Sequence, residues 1–139
     1  HLTLRTSVIG PELKRDGEEL FHWFMSQSGE VNGFTKAIWS GVTTLILAKV
    51  VDWAIEYKIT GLYHVTNNKS IDKFTLLTLM KKYTKKNILI NPFDGKELNK
   101  SFIDSRKELN FEIPTYDQMV KEMIAKTKND KIIYSHYDF

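Results

Sequence analysis

The chain has 139 residues, a formal net charge of +3, 42% hydrophobic and 27% charged residues, and no cysteine. That length and composition predict a single soluble globular domain rather than a disordered or low-complexity segment, and the missing thiols exclude disulfides, zinc–thiolate sites and cysteine catalysis. The pI near 9.0 comes from a small excess of scattered lysines, which predicts a solvated surface and no nucleic-acid partner, while the lack of cysteine fits a cytoplasmic location.

In chain order, Leu2 to Thr6 (LTLRT) alternates apolar and polar residues and predicts a strand, broken by Gly10-Pro11. Residues 18–27 predict a helix with Leu20, Trp23 and Phe24 on one stripe, Glu18 and Glu19 at its positive end and Gly29 as its C-cap. Residues 29–42, GEVNGFTKAIWSGV, are predicted as a long loop with three glycines, a length often used for function. A second helix runs from Thr43 to Tyr57, capped by Thr43 or Thr44. Leu47, Val50, Val51 and Ala54 form its apolar face, widened by Ile46 and Trp53, so it is expected to pack on more than one side. Lys49 and Asp52 interrupt it, which predicts no membrane span.

Gly61 to Val65 predicts a short strand. Asp72 then caps a helix to about Lys85, with Leu76, Leu79, Met80 and Tyr83 inward. Ile88 to Ile90 is a further short strand, stopped by Asn91-Pro92. A loop follows, with one helical turn near Ser105–Leu109. Pro114 precedes a last helix in which Thr115 and Gln118 have capping-box spacing and Tyr116, Met119, Val120 and Met123 make the apolar face. The tail KIIYSHYDF is weakly strand-like. The pattern is α/β with an incomplete sheet, and the first strand has no partner before it.

Several chemistries are missing. The glycines stand at 10, 17, 29, 33, 41, 61 and 95, and no three have the spacing that lets a backbone approach a dinucleotide pyrophosphate. No tyrosine has a lysine four residues on: the partners are Gly61, Asn67, Asn87, Val120 and Asp138, and Tyr137 is too near the end. A Tyr–Lys proton-transfer pair is therefore absent, and no catalytic residue is assigned. His1, His22, His64 and His136 are isolated in sequence, so no metal site is expected.

Three segments together carry a family signal. Leu2–Glu12 (LTLRTSVIGPE) resembles the sixth core strand, and the loop leaving it, of the extended short-chain dehydrogenase/reductase family. Gly33–Lys49 (GFTKAIWSGVTTLILAK) resembles the stretch where a substrate loop runs into a helix returning to the nucleotide domain; Trp39–Thr44 is its most distinctive part. Gly61–Val65 with Ser70–Leu77 is similar to the family's Gly-x-Tyr-His-Val strand and following helix. Leu98–Phe102 falls where relatives carry an Asp-Arg-Ser-Leu type stretch. Here Lys100 replaces the arginine, keeping the charge but not the bidentate fork.

The resemblance covers residues 2 to about 124 and is nearest the dTDP-4-dehydrorhamnose reductase-like branch. It implies an α/β, C-terminal substrate-binding portion of an extended Rossmann-type enzyme. Residues 1–12 would be the last-strand region of a missing nucleotide-binding half, 13–128 the substrate-side helices and short strands, and 129–139 a tail. It implies an NAD(P)-dependent reductase of nucleotide-linked 4-keto sugars as the parent, or a sugar-nucleotide epimerase or dehydratase of the same family. NAD(P) would belong to the parent, with none bound by this fragment alone. The implied substrate-binding residues are Thr6, Ser7, Val8, Ile9, Phe34, Trp39, Lys100 and Ser101. Implied partners are the nucleotide-sugar substrate and the missing N-terminal half, with self-association of the isolated chain. The competing reading is a non-catalytic interaction module.

Overall fold

The computed structural model describes residues 1–104 and 110–139. The helical turn expected at residues 105–109 lies outside them. The chain runs β1 (Leu2–Arg5), β2 (Val8–Ile9), α1 (Leu20–Ser26), β3 (Gly29–Phe34), β4 (Ala37–Trp39), β5 (Val42–Thr43), α2 (Thr44–Glu56), β6 (Gly61–His64), β7 (Ile71–Asp72), α3 (Lys73–Thr84), β8 (Ile88–Phe93), β9 (Leu98–Asn99) and α4 (Tyr116–Asn129).

The fold is α/β with several small sheets. β1 pairs in parallel with β6, β2 with β5, and β3 with β8; β4 lies between β7, antiparallel, and β9, parallel. The first strand thus finds its partner later in the chain, at Gly61–His64. Parallel partners need long crossovers, and α2 lies in the crossover from β1 to β6.

The segment expected as one long loop is three strands. Its glycines and Asn32 carry low strand propensity, but pairing outweighs propensity: β3 and β8 are in register from Gly29↔Ile88 to Phe34↔Phe93. The same pairing carries β8 through Asn91-Pro92, where a stop was expected. A two-stranded pair leaves each strand one free edge, and a proline with no N–H is tolerated at an edge.

Threonine and aspartate side chains start three of the helices. Thr43 accepts from the Ile46 amide at 3.3 Å, Asp72 from the Thr75 amide at 2.8 Å, and Thr115 from the Gln118 amide at 3.3 Å, each satisfying an otherwise orphaned donor. The capping box of α4 is only half built, because the Gln118 side chain donates to Glu122 instead. α1 ends at Ser26, before Gly29, which takes a left-handed φ of +73° as β3 begins.

α3 packs across β3 and β8 and against α4, and α4 also touches α2. The main core holds Phe21, Phe24, Leu77, Met80, Met123 and Ile124; a second cluster joins Val42, Ile46, Val50, Val65 and Met119. On α2 the buried line is Ile46, Val50 and Ala54, spaced by four. Val51, expected on that face, is 40% exposed and Ile55 is 72% exposed, because a step of one residue turns a helix by about 100°.

The tail is not a strand. Backbone bonds from Ile133 and Tyr134 to Asp130 fold it into turns. Tyr137 then meets Phe21 edge-on at 5.4 Å, and its hydroxyl accepts from the Glu12 amide at 2.9 Å.

Candidate functional site

The segment Trp39–Thr44 makes a separate contact with almost every residue. The Trp39 indole N–H donates to Ser7 Oγ at 2.6 Å. Ser40 is buried, accepts from the Phe102 amide at 2.8 Å and donates to its carbonyl at 3.0 Å. A Cβ at Gly41 would collide with the Ser7 carbonyl and the Trp39 ring, so only glycine permits this approach. The Val42 amide donates to the Ser7 carbonyl at 2.9 Å, and Thr43 caps α2.

These contacts shape a cleft of about 280 Å³ between the loop after β1, the start of α1, and the β7–β4–β9 sheet. Its apolar wall includes Val8, Ile9, Ile38, Leu76 and Leu98; its polar groups come from Ser7, Trp39, Glu19, Lys73 and Lys100. Because Ser7 Oγ already accepts the indole proton, its own hydrogen is available to donate. Trp39 is backed by Tyr116, ring to ring at 5.9 Å. The Tyr116 hydroxyl donates to the Lys69 carbonyl at 3.0 Å, and burial pushes the phenol up to about 12.

Of the residues named from sequence, Ser7, Val8, Ile9, Trp39 and Lys100 line this one cleft. Lys100 is held there by its amide, which donates to the Ile38 carbonyl at 2.9 Å. Three do not line it. Thr6 turns its hydroxyl to the Val65 carbonyl at 2.8 Å and tethers the end of β1 to β6. Ser101 bonds Asn99 through both hydroxyl and amide, a local Asx turn. Phe34 stacks edge-on with Phe93 at 5.6 Å and lies under the Lys73 ammonium at 5.7 Å, so it sits behind the cleft. Two further charged residues line the cleft that were not named as site residues from the sequence, Lys73 and Glu19; both stand at helix starts, and the β4–β7 pairing brings Lys73 beside the Ala37 end of β4.

A larger recess of about 660 Å³ lies between the end of α4 and the tail. One of its two lysines, Lys128, is committed to the Tyr83 carbonyl at 3.0 Å and to the Phe139 ring at 5.3 Å, and its lining comes from residues 127–139 alone, with none of the site residues named from the sequence. Among the described residues no group of three metal-ligating side chains occurs, and no helix is long and apolar enough to cross a membrane. His64 is held by the Ile103 carbonyl at 3.0 Å and by the Phe102 ring.

No family model and no curated protein matches the sequence. Solved structures do match in fold. A dTDP-4-dehydrorhamnose reductase from Bacillus anthracis, in complex with NADP, superposes with a TM-score of 0.71 at 18% identity, over 88% of this chain and 47% of that one. The chain has the fold of the C-terminal part of an extended short-chain dehydrogenase/reductase. A UDP-N-acetylglucosamine 4-epimerase from Methanobrevibacter ruminantium gives 0.66 at 16% identity, over 92% of this chain and 46% of that one. A dTDP-glucose 4,6-dehydratase from Bacillus anthracis, in complex with NAD, gives 0.66 at 12% identity, over 96% and 46%. The chain therefore spans about half the length of these extended short-chain dehydrogenase/reductase structures.

Proposed function

We propose that this chain is the substrate-binding part of an NAD(P)-dependent reductase of nucleotide-linked 4-keto sugars, acting in the cytoplasm. The observation that carries the reading is the Ser7–Trp39 hydrogen bond at 2.6 Å, which joins the loop after β1 to the strand before α2 in a cleft that also receives Lys100. A ring face, a free hydroxyl proton and an ammonium group on an apolar floor suit a sugar linked to a phosphate. Lys100 would offset phosphate charge, strengthened where the ligand excludes water. Thr6, Phe34 and Ser101 are proposed to act indirectly, through the strand end, Lys73 and the β9 turn. The fold is shared with epimerases and a dehydratase of nucleotide sugars, so epimerisation or dehydration of the same substrate class is the second reading.

The residues present do not make a dinucleotide cradle, since the glycine spacing for one is missing from the sequence and no Tyr–Lys pair stands on one helix face. We therefore assign the nicotinamide cofactor, which supplies the hydride, to a nucleotide-binding half seated against β1 and the outer face of α2. The chain alone is expected to bind a dTDP- or UDP-sugar and to transfer no hydride from NADH or NADPH. Calorimetric titration tests this: saturable binding that falls at least severalfold in Trp39→Ala supports the reading, whereas no binding by the folded chain, or hydride transfer by it, contradicts it.

A further inference from the structure

Lys73 is the first residue of α3, where the helix dipole disfavours a positive charge. Among the described residues no carboxylate lies within ion-pair distance of it; its ammonium instead sits 5.7 Å from both the Trp23 and Phe34 rings. Those rings engage the ammonium without neutralising it, and Lys73 is also one of the residues lining the cleft. Register places it diagonally across β4 from Lys100, with Lys73 toward the Ala37 end and Lys100 toward the Trp39 end. Ile38 of β4 pairs with Asp72 on one side and with Asn99 on the other, and Lys73 and Lys100 are the next residues on those two flanks. Two strand spacings, with the offset along the strands, put their Cα atoms on the order of 10–12 Å apart. Two lysine side chains can close that gap from both sides onto a group the size of a diphosphate. Among the described residues Glu19 is the only carboxylate in the cleft lining, against Lys73 and Lys100, so the cationic charge is in excess there.

We infer that Lys73 and Lys100 form a two-lysine clamp on the diphosphate of the ligand, with Trp23 and Phe34 as the aromatic brace that positions Lys73. The clamp rests on the nucleotide-sugar reading and adds to it the residue that fixes the phosphates. Free pyrophosphate and a nucleoside diphosphate share the recognised chemistry; a nucleoside without phosphates lacks it. The test is calorimetry on the full chain with inorganic pyrophosphate, dTDP, thymidine and a dTDP-sugar. Lys73→Met and Lys100→Met are each expected to weaken pyrophosphate and dTDP binding by about tenfold, the size of one charge-assisted hydrogen bond. Lys73→Arg should restore most of it, and Lys96→Met, on the exposed β8–β9 turn, should bind like the parent. Lys73→Met should melt no lower than the parent, since it removes a cation from a helix start; a merely structural lysine would lower the melting point and leave binding of the folded fraction unchanged. Pyrophosphate affinity unchanged in Lys73→Met, or a chain that binds a dTDP-sugar but not pyrophosphate, overturns the clamp and leaves the nucleotide-sugar reading standing. A folded chain that binds none of the four overturns both.

Discussion

Trp39 and Gly41 hold the cleft through a few atoms each. Trp39→Phe keeps a ring but removes the N–H donated to Ser7; a lost hydrogen bond of this kind costs about 1 kcal/mol, and urea unfolding should read that loss. Gly41→Ala should cost more, about 1–3 kcal/mol, because the new methyl meets the Ser7 backbone carbonyl, which cannot swing away as a side-chain tip can. A Gly41→Ala chain as stable as the parent would mean that the approach of these two segments is not as close as described. The sequence made Trp39–Thr44 conspicuous through its glycine, tryptophan and threonines, and Ser7 through the motif around it. It could not show Lys73 in the same cleft, because no local spacing encodes that Asp72 pairs with Ile38.

At the scale of elements, the helices were legible where a cap announced them. Thr43→Ala should cost α2 about 1 kcal/mol, measured by thermal or urea unfolding. The strands between residues 29 and 43 were illegible because their partners, β8, β7, β9 and β2, are remote and supply the stabilisation that local propensity withholds. Asp117 ties α4 to α3: it accepts from Lys82 at 2.8 Å and from the Tyr83 hydroxyl at 2.6 Å. Those two donors, Lys82 first, hold its carboxyl below the usual carboxylate range. A depressed folded value means the contribution is present above the unfolded carboxylate pKa of about 3.9 and is lost as pH falls through the folded value. The carboxylate is solvent-exposed, so the effect is modest. Asp117→Asn should flatten the fall of the urea midpoint below about pH 4; an unchanged acid slope would remove Asp117 from the account.

For the whole molecule, the outer side of α2 matters most. Leu47, Val51 and Ile55 line a shallow apolar recess of about 440 Å³ beside Thr44 and Asp52, and among the described residues β1 is paired on one side only, with β6. Exposed apolar surface and a free strand edge both promote association. The isolated chain is expected to self-associate at tens of micromolar, and Val51→Glu with Ile55→Glu to shift it toward monomer in sedimentation velocity. A parent chain that is already monodisperse and monomeric would contradict this. The sequence pointed to a broad apolar helix but misplaced Val51 on its buried side, since a pattern apolar around much of its circumference does not by itself say which side the core takes.

The claim on which the rest depends is that Ser7, Trp39, Lys73 and Lys100 act as one ligand-binding cleft. Nuclear magnetic resonance titration of the labelled chain with a dTDP-sugar tests it most directly, with the Trp39 indole N–H as reporter. This resonance and the amides of Ser7, Lys73 and Lys100 are expected to shift together with one saturation curve, and Lys73→Met to weaken that curve. Shifts confined to the recess by Tyr134 and Phe139, or a Trp39 indole signal unmoved at saturation, would contradict it.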